Sequence, residues 1–201
     1  MASITFVVSD KYCAPRPVEL TMMKKASRDS FQVSDSDGRL IFKMDAHPLS
    51  IHERCTLLDT DGNLILTARR KLLSRHEKWE VCRGEHFCDE SLLFMVKRKS
   101  WVQLKAHLTV SLRGNDDNGT PDFEVRGNYK ETEGQILQGD KLVAEFKRKF
   151  TFKNAMLGKD TFVTWVAPGV DQAFITCLVI IVDRMYNAQY AGASAAPVVT
   201  C

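Results

Sequence analysis

Three short runs of basic residues are the first candidates for binding chemistry in this sequence. Each run follows a stretch with the pattern of a β-strand: Arg69, Arg70, Lys71; Lys97, Arg98, Lys99; and Lys147, Arg148, Lys149. Strand ends that share a rim can present several cations to one anion, and each Lys or Arg near an anionic membrane contributes about 1 kcal/mol. We therefore predict an anion-binding site at these residues, although charged strand ends also suppress edge-to-edge pairing.

The residue types that most often carry catalysis show no catalytic arrangement. The five histidines are scattered, and the sequence holds no glycine-rich phosphate loop, nucleophile elbow or metal-binding histidine motif. His76 and Glu77 are neighbours, but such a pair is more often structural than catalytic. We predict no catalytic residue and a protein that is not an enzyme.

Metal and cofactor chemistry is not indicated by the cysteine and aspartate patterns either. Cys82, His86 and Cys88 are close together, but their spacing is not Cys-x-x-Cys and no second ligand pair follows. The stretches 35–38 and 59–62 read Asp-x-Asp-Gly, whereas an EF-hand loop places its glycine at the sixth position and has flanking helices. We predict no metal site and no cofactor.

Composition places the chain among ordinary globular proteins. It has 201 residues, 44% hydrophobic and 26% charged, and a formal net charge of +3 that is too small to indicate a nucleic-acid partner. No basic region followed by an apolar run opens the sequence, and the cysteines fit reduced thiols. We expect a cytoplasmic protein without direct nucleic-acid contact.

The elements that must position the basic runs have the pattern of short antiparallel strands. The segments 31–33 and 40–44 flank one Asp-x-Asp-Gly turn, and 55–58 and 64–67 flank the other, which predicts two hairpins. Further alternating stretches recur every 8 to 12 residues or so, a spacing typical of a barrel or a sandwich. The polar stretch 115–121 fits either a boundary between two halves or a long hairpin loop.

One segment near the C-terminus, Ala173–Val182, is apolar on every side. Such a segment must be buried all round, and it is too short for the roughly 20 residues of a membrane-spanning helix. Its β-branched residues favour a strand, whereas Asp171 could cap a helix after the Pro168-Gly169 break. Periodicity does not decide between a buried strand and a buried helix.

Several motifs along the chain resemble those of the plant LURP-one-related proteins, within the tubby-like C-terminal superfamily that includes phospholipid scramblases. The matching segments are 11–15, 37–43, 57–59, 76–81, 96–98, 157–162 and 170–175. Each segment is short, but together they follow the expected order over nearly the whole chain. The chain is therefore identified as a member of this family.

The resemblance implies an all-β fold with one helix: a tubby-like antiparallel barrel of about twelve strands that encloses a hydrophobic central helix at residues 171–186. We expect a loose lead-in over residues 1–17, a single barrel domain over 18–187, and a disordered tail over 188–201. For Ala173–Val182, the resemblance therefore implies a helix and not a strand.

The resemblance also implies a function. It favours a non-enzymatic binding or adaptor module in a plant defence-related setting, recognising a phosphoinositide or another anionic headgroup, or a protein partner. We expect a cytoplasmic protein that is peripheral at the membrane and not transmembrane. Lipid scrambling is not predicted, because a shared fold does not carry function. The alternative is an enzyme or small-molecule carrier that uses a cleft between helix and barrel.

Overall fold

A computed structural model describes residues 6–25, 30–47, 53–72, 77–102, 105–115, 119–128, 133–149 and 161–193. Its elements are twelve strands and one long helix, preceded by a single 3₁₀ turn at Asp10–Tyr12. The strands are β1 (Val18–Lys25), β2 (Ser30–Ser34), β3 (Leu40–His47), β4 (Arg54–Leu58), β5 (Leu64–Lys71), β6 (Lys78–Arg83), β7 (Leu92–Val102), β8 (Lys105–Leu112), β9 (Phe123–Asn128), β10 (Glu133–Gln138), β11 (Lys141–Arg148) and β12 (Thr161–Val166). The helix, α1, is Gln172–Ala193.

The strands form one closed antiparallel barrel. Each strand pairs with its neighbour in the chain, and β12 returns to pair with β1, with Val18 opposite Val166. Both edges of each of the twelve described strands are therefore paired, which removes the open edges that promote association with another chain. The predicted barrel around a helix is confirmed. We call the end at which α1 begins the base, and the opposite end the mouth.

The two Asp-x-Asp-Gly stretches are tight turns at the base. The Asp35 carboxylate accepts hydrogen bonds from the backbone N–H groups of Asp37 and Arg39, at 2.9 and 2.8 Å. Asp59 accepts the equivalent bonds from Asp61 and Asn63, at 3.0 and 2.8 Å. Gly38 and Gly62 have φ of +79° and +88°, which a residue with a Cβ rarely adopts. The two predicted hairpins are confirmed, and turn geometry accounts for their aspartates.

Helix α1 runs inside the barrel and forms its core. From Ala173 to Val182 the side chains are at most 6% exposed, and the ring of Phe174 packs against Phe94 and Phe123 on the wall. The helix extends to Ala193, beyond the predicted end at 186 and into the segment 188–201 that was predicted as a disordered tail; residues 194–201 lie outside the described residues. Residues 187–193 are rich in alanine, the strongest helix former, which explains the longer helix.

The N-terminal segment, predicted as a loose lead-in over residues 1–17, is bound to the base of the barrel through Asp171. The backbone N–H groups of Ala173 and Phe174 donate to Asp171 Oδ1, at 3.0 and 3.1 Å, and so cap α1. Those of Val8 and Ser9 donate to Oδ2 of the same carboxylate, at 2.7 and 3.0 Å. Asp171 is only 2% exposed, so one buried carboxylate joins the two segments.

Inward-facing charges surround α1 near the mouth. Arg98 Nη1 lies 2.6 Å from Glu77 Oε2, both side chains are 10% exposed, and Arg98 Nη2 donates to the carbonyl of Met185 on the helix at 3.4 Å. On the other side, Lys24 Nζ lies 3.5 Å from the buried Asp183 of α1. These pairs join the wall to the helix where its apolar stretch ends.

Within the residues that the structure describes, no helix combines the length and hydropathy that a membrane crossing requires.

The Asp171 carboxylate can be tested by Asp171→Asn. Asparagine has the same size as aspartate, but its amide NH₂ group replaces one acceptor oxygen. A donor would then face two backbone N–H groups that also donate. Because hydrogen bonds to charged groups contribute roughly 1.5–3 kcal/mol each, we expect about 3 kcal/mol of lost stability, measured by urea unfolding. Asp10→Asn, in the exposed 3₁₀ turn of the same segment, serves as the control and should unfold with the parent. Equal midpoints for parent and Asp171→Asn would contradict this role.

The charge pairs at the mouth can be tested by Glu77→Gln. Removing this carboxylate takes away the charge that lies 2.6 Å from Arg98, a side chain only 10% exposed, and breaking a buried pair costs about 3 kcal/mol or more. The free energy of unfolding should fall accordingly in urea titrations. Asp37→Asn, which removes half of the exposed Asp37–Arg39 pair, is the matched control and should have little effect. A loss no larger than the control's would exclude a structural role for Glu77.

Candidate anion-binding site

The structure places all three basic runs in the mouth half of the barrel but brings only two of them together. Arg69–Lys71 ends β5 and Lys97–Lys99 lies on β7, with β6 between these strands. Lys147–Lys149 lies at the end of β11, six strands from β5 around the ring of twelve, and therefore on the opposite side. The fold therefore does not bring all three runs together in a single site.

Strand alternation divides each basic run between the two faces of the wall. The central arginine follows the buried residues of its strand: Arg70 follows Leu66 and Ala68, and Arg98 follows Phe94 and Val96. Arg70 Nη1 contacts Glu53 at 2.6 Å and its Nε lies 3.8 Å from Glu77, the carboxylate that also binds Arg98. These two arginines hold the mouth together rather than facing an outer ligand.

Arg148, the central residue of the third run, obeys the same rule. It lies two residues beyond the buried Phe146 on β11 and is only half-buried at the strand end.

Burial raises the pKa of Glu77, the carboxylate at the mouth that contacts both Arg70 and Arg98, while the Arg98 and Arg70 guanidiniums lower it in part.

The outer face of β5–β7 carries a row of three lysines. Lys71 lies directly opposite Lys78, and Lys78 lies directly opposite Lys97. Residues that pair this way have Cβ atoms about 4.5–5.5 Å apart, and like charges in such pairs repel. A bound anion would relieve that repulsion. We call Lys71, Lys78 and Lys97 the lysine row.

Lys78 was absent from the sequence prediction, which considered only consecutive basic residues. One signal for it existed: Lys78, Glu80 and Cys82 alternate with Trp79 and Val81 in a strand pattern, so Lys78 and Glu80 share a face. What the sequence could not supply was the register, which sets Lys78 between a lysine from each neighbouring strand.

Below the lysine row, Arg69 and Glu80 form a fixed pair. Arg69 donates through Nε and Nη2 to Glu80 Oε2, at 3.1 and 2.8 Å, and its guanidinium lies 4.0 Å from the ring centre of Phe87. Lys71 Nζ donates to the other oxygen, Oε1, at 3.0 Å. Glu80 therefore binds two of the cations on this face, one through each of its oxygens.

The pKa of Glu80 reflects these contacts. Burial raises it, but the hydrogen bonds and charges of Arg69 and Lys71 lower it more, and the net direction is downward from 4.5. Glu80 is therefore ionised at neutral pH. It orients Arg69 and Lys71 and does not cancel the charge of Lys97.

The third run has a different environment. Lys147 Nζ lies 3.2 Å from Glu133 Oε2; the lysine side chain is largely exposed and the glutamate side chain partly exposed. Lys149 is exposed, and its backbone N–H donates to the carbonyl of Thr161 at 2.7 Å. An exposed pair of this kind contributes little to stability or to ligand affinity.

The packing of α1 bears on the alternative of an enzyme or carrier with a cleft beside the helix. Because Ala173–Val182 is buried against the wall all round, a ligand could enter there only if the helix moved.

Among the described residues, no three histidines, cysteines or carboxylates gather as a metal site would require. The described cysteines are free thiols: Cys13, Cys55, Cys82, Cys88 and Cys177.

The Glu80 pairing predicts a specific pH dependence. Since the pKa of Glu80 is lowered by folding, its stabilising contribution is complete above pH 4.5 and is lost as the pH falls below that value. In the variant Glu80→Gln this contribution is absent, so the free energy of unfolding should fall less steeply between neutral pH and acid than in the parent. Urea unfolding across that pH range measures both slopes; identical slopes would refute the assignment.

Comparison with known proteins agrees with this architecture. The sequence model of the LURP-one-related family matches residues 18–183. Protein LURP-one-related 15 of Arabidopsis thaliana is 39% identical over 182 residues, covering 88% of this chain and 84% of that protein. Protein LURP1 of the same plant is 34% identical over 189 residues, covering 92% and 91%. The X-ray structure of an Arabidopsis thaliana protein superposes with a TM-score of 0.70 at 32% identity, covering 89% of this chain and 97% of that one. The chain belongs to the LURP-one-related family.

Proposed function

We propose that this protein is a non-enzymatic binding module that recognises an anionic headgroup, such as a phosphoinositide, on the outer face of β5–β7. The observation that carries the proposal is the lysine row, in which Lys71, Lys78 and Lys97 stand directly opposite one another on adjacent strands. Their mutual repulsion is relieved when a multiply charged phosphate group lies across them. Arg69 adds a fourth cation at one side of the row.

The position of the row suits a membrane ligand. It lies in the mouth half of the barrel, so an anionic surface could approach the mouth and meet the row from the side. Lysine provides a compact charge on a flexible stem, which can adapt to several phosphate positions. With about 1 kcal/mol per lysine near an anionic surface, three lysines give reversible, salt-dependent binding.

The cellular setting is part of the same proposal. The family is named after LURP1. We propose that the chain acts in plant defence, which is the role that the family resemblance implies. It would do so as a cytoplasmic protein that associates peripherally with a membrane carrying the anionic lipid. The barrel would serve as an adaptor, since neither its basic face nor its packed core presents a catalytic arrangement among the described residues.

Vesicle flotation tests the proposal. Phosphatidylcholine vesicles with and without phosphatidylinositol bisphosphate are mixed with the protein at physiological salt, and the floated fraction is measured. We expect flotation only with the phosphoinositide. In the variant Lys78→Gln/Lys97→Gln, which leaves Lys71 on Glu80, affinity should fall about tenfold or more, given roughly 1 kcal/mol for each lysine.

The matched control is Lys147→Gln/Lys149→Gln, which removes the same charge from the opposite side of the barrel. It should float like the parent. If the control loses binding and the row variant does not, the third basic run is the site and the lysine row is not. Absence of flotation for the parent, or equal losses for both variants, would refute a built site on β5–β7.

A further inference from the structure

A second surface feature lies on the opposite side of the barrel from the lysine row. The outer faces of β1, β12 and β11 form an open groove of about 660 Å³, whose lining includes Trp165, Val163 and Lys147. Trp165 is 38% exposed, although a large aromatic side chain on an outer strand face is usually covered. Since β12 and β6 are six strands apart in the ring, this groove and the lysine row are separate surfaces.

Two carboxylates flank the exposed ring. Glu19 on β1 and Glu145 on β11 both lie directly opposite Trp165 on the neighbouring strands. Both glutamates are exposed and line the groove. Gln135 Nε2 donates to Glu145 Oε1 at 3.3 Å and so helps to orient that carboxylate. An indole ring thus stands between two negative charges.

This arrangement matches the chemistry of an arginine side chain. A guanidinium stacks on the face of an indole ring through a cation–π interaction, and its N–H groups pair with carboxylates on either side. The ring and the two carboxylates both attract the same positive charge, whereas an aliphatic side chain would leave the carboxylates unpaired and an acidic one would be repelled by them.

The charges that line the groove also differ along β12, with carboxylates beside Trp165 and a lysine beside Val163. Two residues from Trp165, Val163 lies opposite Lys147, which contacts Glu133 at 3.2 Å. Two residues of an extended strand span about 6.8 Å, so an extended peptide with arginine at one position and a carboxylate two residues later matches both ends. The charge pattern therefore favours a peptide segment over a uniformly basic or acidic ligand.

We propose that this groove binds an extended segment of a partner protein, with an arginine of the partner seated on Trp165 between Glu19 and Glu145. The site is independent of the anion-binding face. A barrel that bound an anionic ligand on β5–β7 and a peptide on β11–β12–β1 would connect these two ligands, one on each side of the barrel.

Peptide titration followed by nuclear magnetic resonance tests the proposal. The probe is N-acetyl-Ser-Gly-Arg-Gly-Glu-Gly-Ser-amide, and its control carries citrulline, the neutral isostere of arginine. The chain has three tryptophans, and the indole N–H signal of Trp165 is assigned by its loss in Trp165→Phe. We expect a saturable shift of this signal with the arginine peptide and at least about threefold weaker binding of the citrulline peptide, as for an exposed cation–π contact.

Variants separate the site from general electrostatics. Glu19→Gln/Glu145→Gln keeps the ring and should weaken binding about threefold to tenfold, the range for two exposed ion pairs. Glu85→Gln/Glu90→Gln removes the same charge from exposed residues at the base and should bind like the parent. Equal binding of both peptides, retention of binding in Glu19→Gln/Glu145→Gln, or no shift at all would overturn the proposal. A stronger shift with phosphocholine than with the peptide would assign the site to a lipid headgroup instead. None of these outcomes depends on phosphoinositide binding.

Discussion

An α-helix without a polar side has to be enclosed, and this constraint governs the rest of the fold. The side chains from Ala173 to Val182 leave no face of α1 that water could solvate favourably. A single sheet or a helical partner would cover only part of that surface. The closed ring of twelve strands covers all of it, and the inward residues of the wall that pack around this part of the helix are mainly apolar.

Polar contacts complete the enclosure at its two ends. At the base, the four N–H groups that meet on Asp171 cap the helix and hold the N-terminal segment against it. At the mouth, Glu77 and Asp183 pair with inward-facing cations where the apolar stretch of α1 ends. These interactions connect α1 to the N-terminal segment at one end and to the barrel wall at the other.

The sequence predicted those parts of the fold that depend on local chemistry. The hairpins at Asp35 and Asp59 were predictable because an aspartate and a positive-φ glycine define a tight turn without help from the rest of the chain. The helix was not predictable from its residues, since β-branched side chains favour a strand and a fully apolar segment has no informative period; the family resemblance decided it. The end of α1 was not predictable either, because a stretch rich in alanine and glycine is compatible with both a helix and a disordered tail.

The candidate site was only half visible in the sequence. Three consecutive basic residues in a strand cannot share a face, and this alternation alone could have separated Arg70 and Arg98 from their neighbours. The pairing of Lys71 and Lys97 with Lys78 depends on register between strands, which no short pattern encodes. The same holds for Trp165, whose flanking glutamates come from positions far away in the chain.

Closure of the ring also has a consequence for folding of the chain. The last strand must pair with the first, and Val8 bonds to a carboxylate 163 positions later. Contacts between such distant residues form slowly, because the chain entropy of the long loop is lost before the contact is gained. Until β12 and α1 join them, β1–β11 can form only an open, curved sheet, with an apolar concave side and two unpaired edges. Such a sheet is prone to aggregation, so closure of the ring and burial of α1 together remove the apolar surface from solvent.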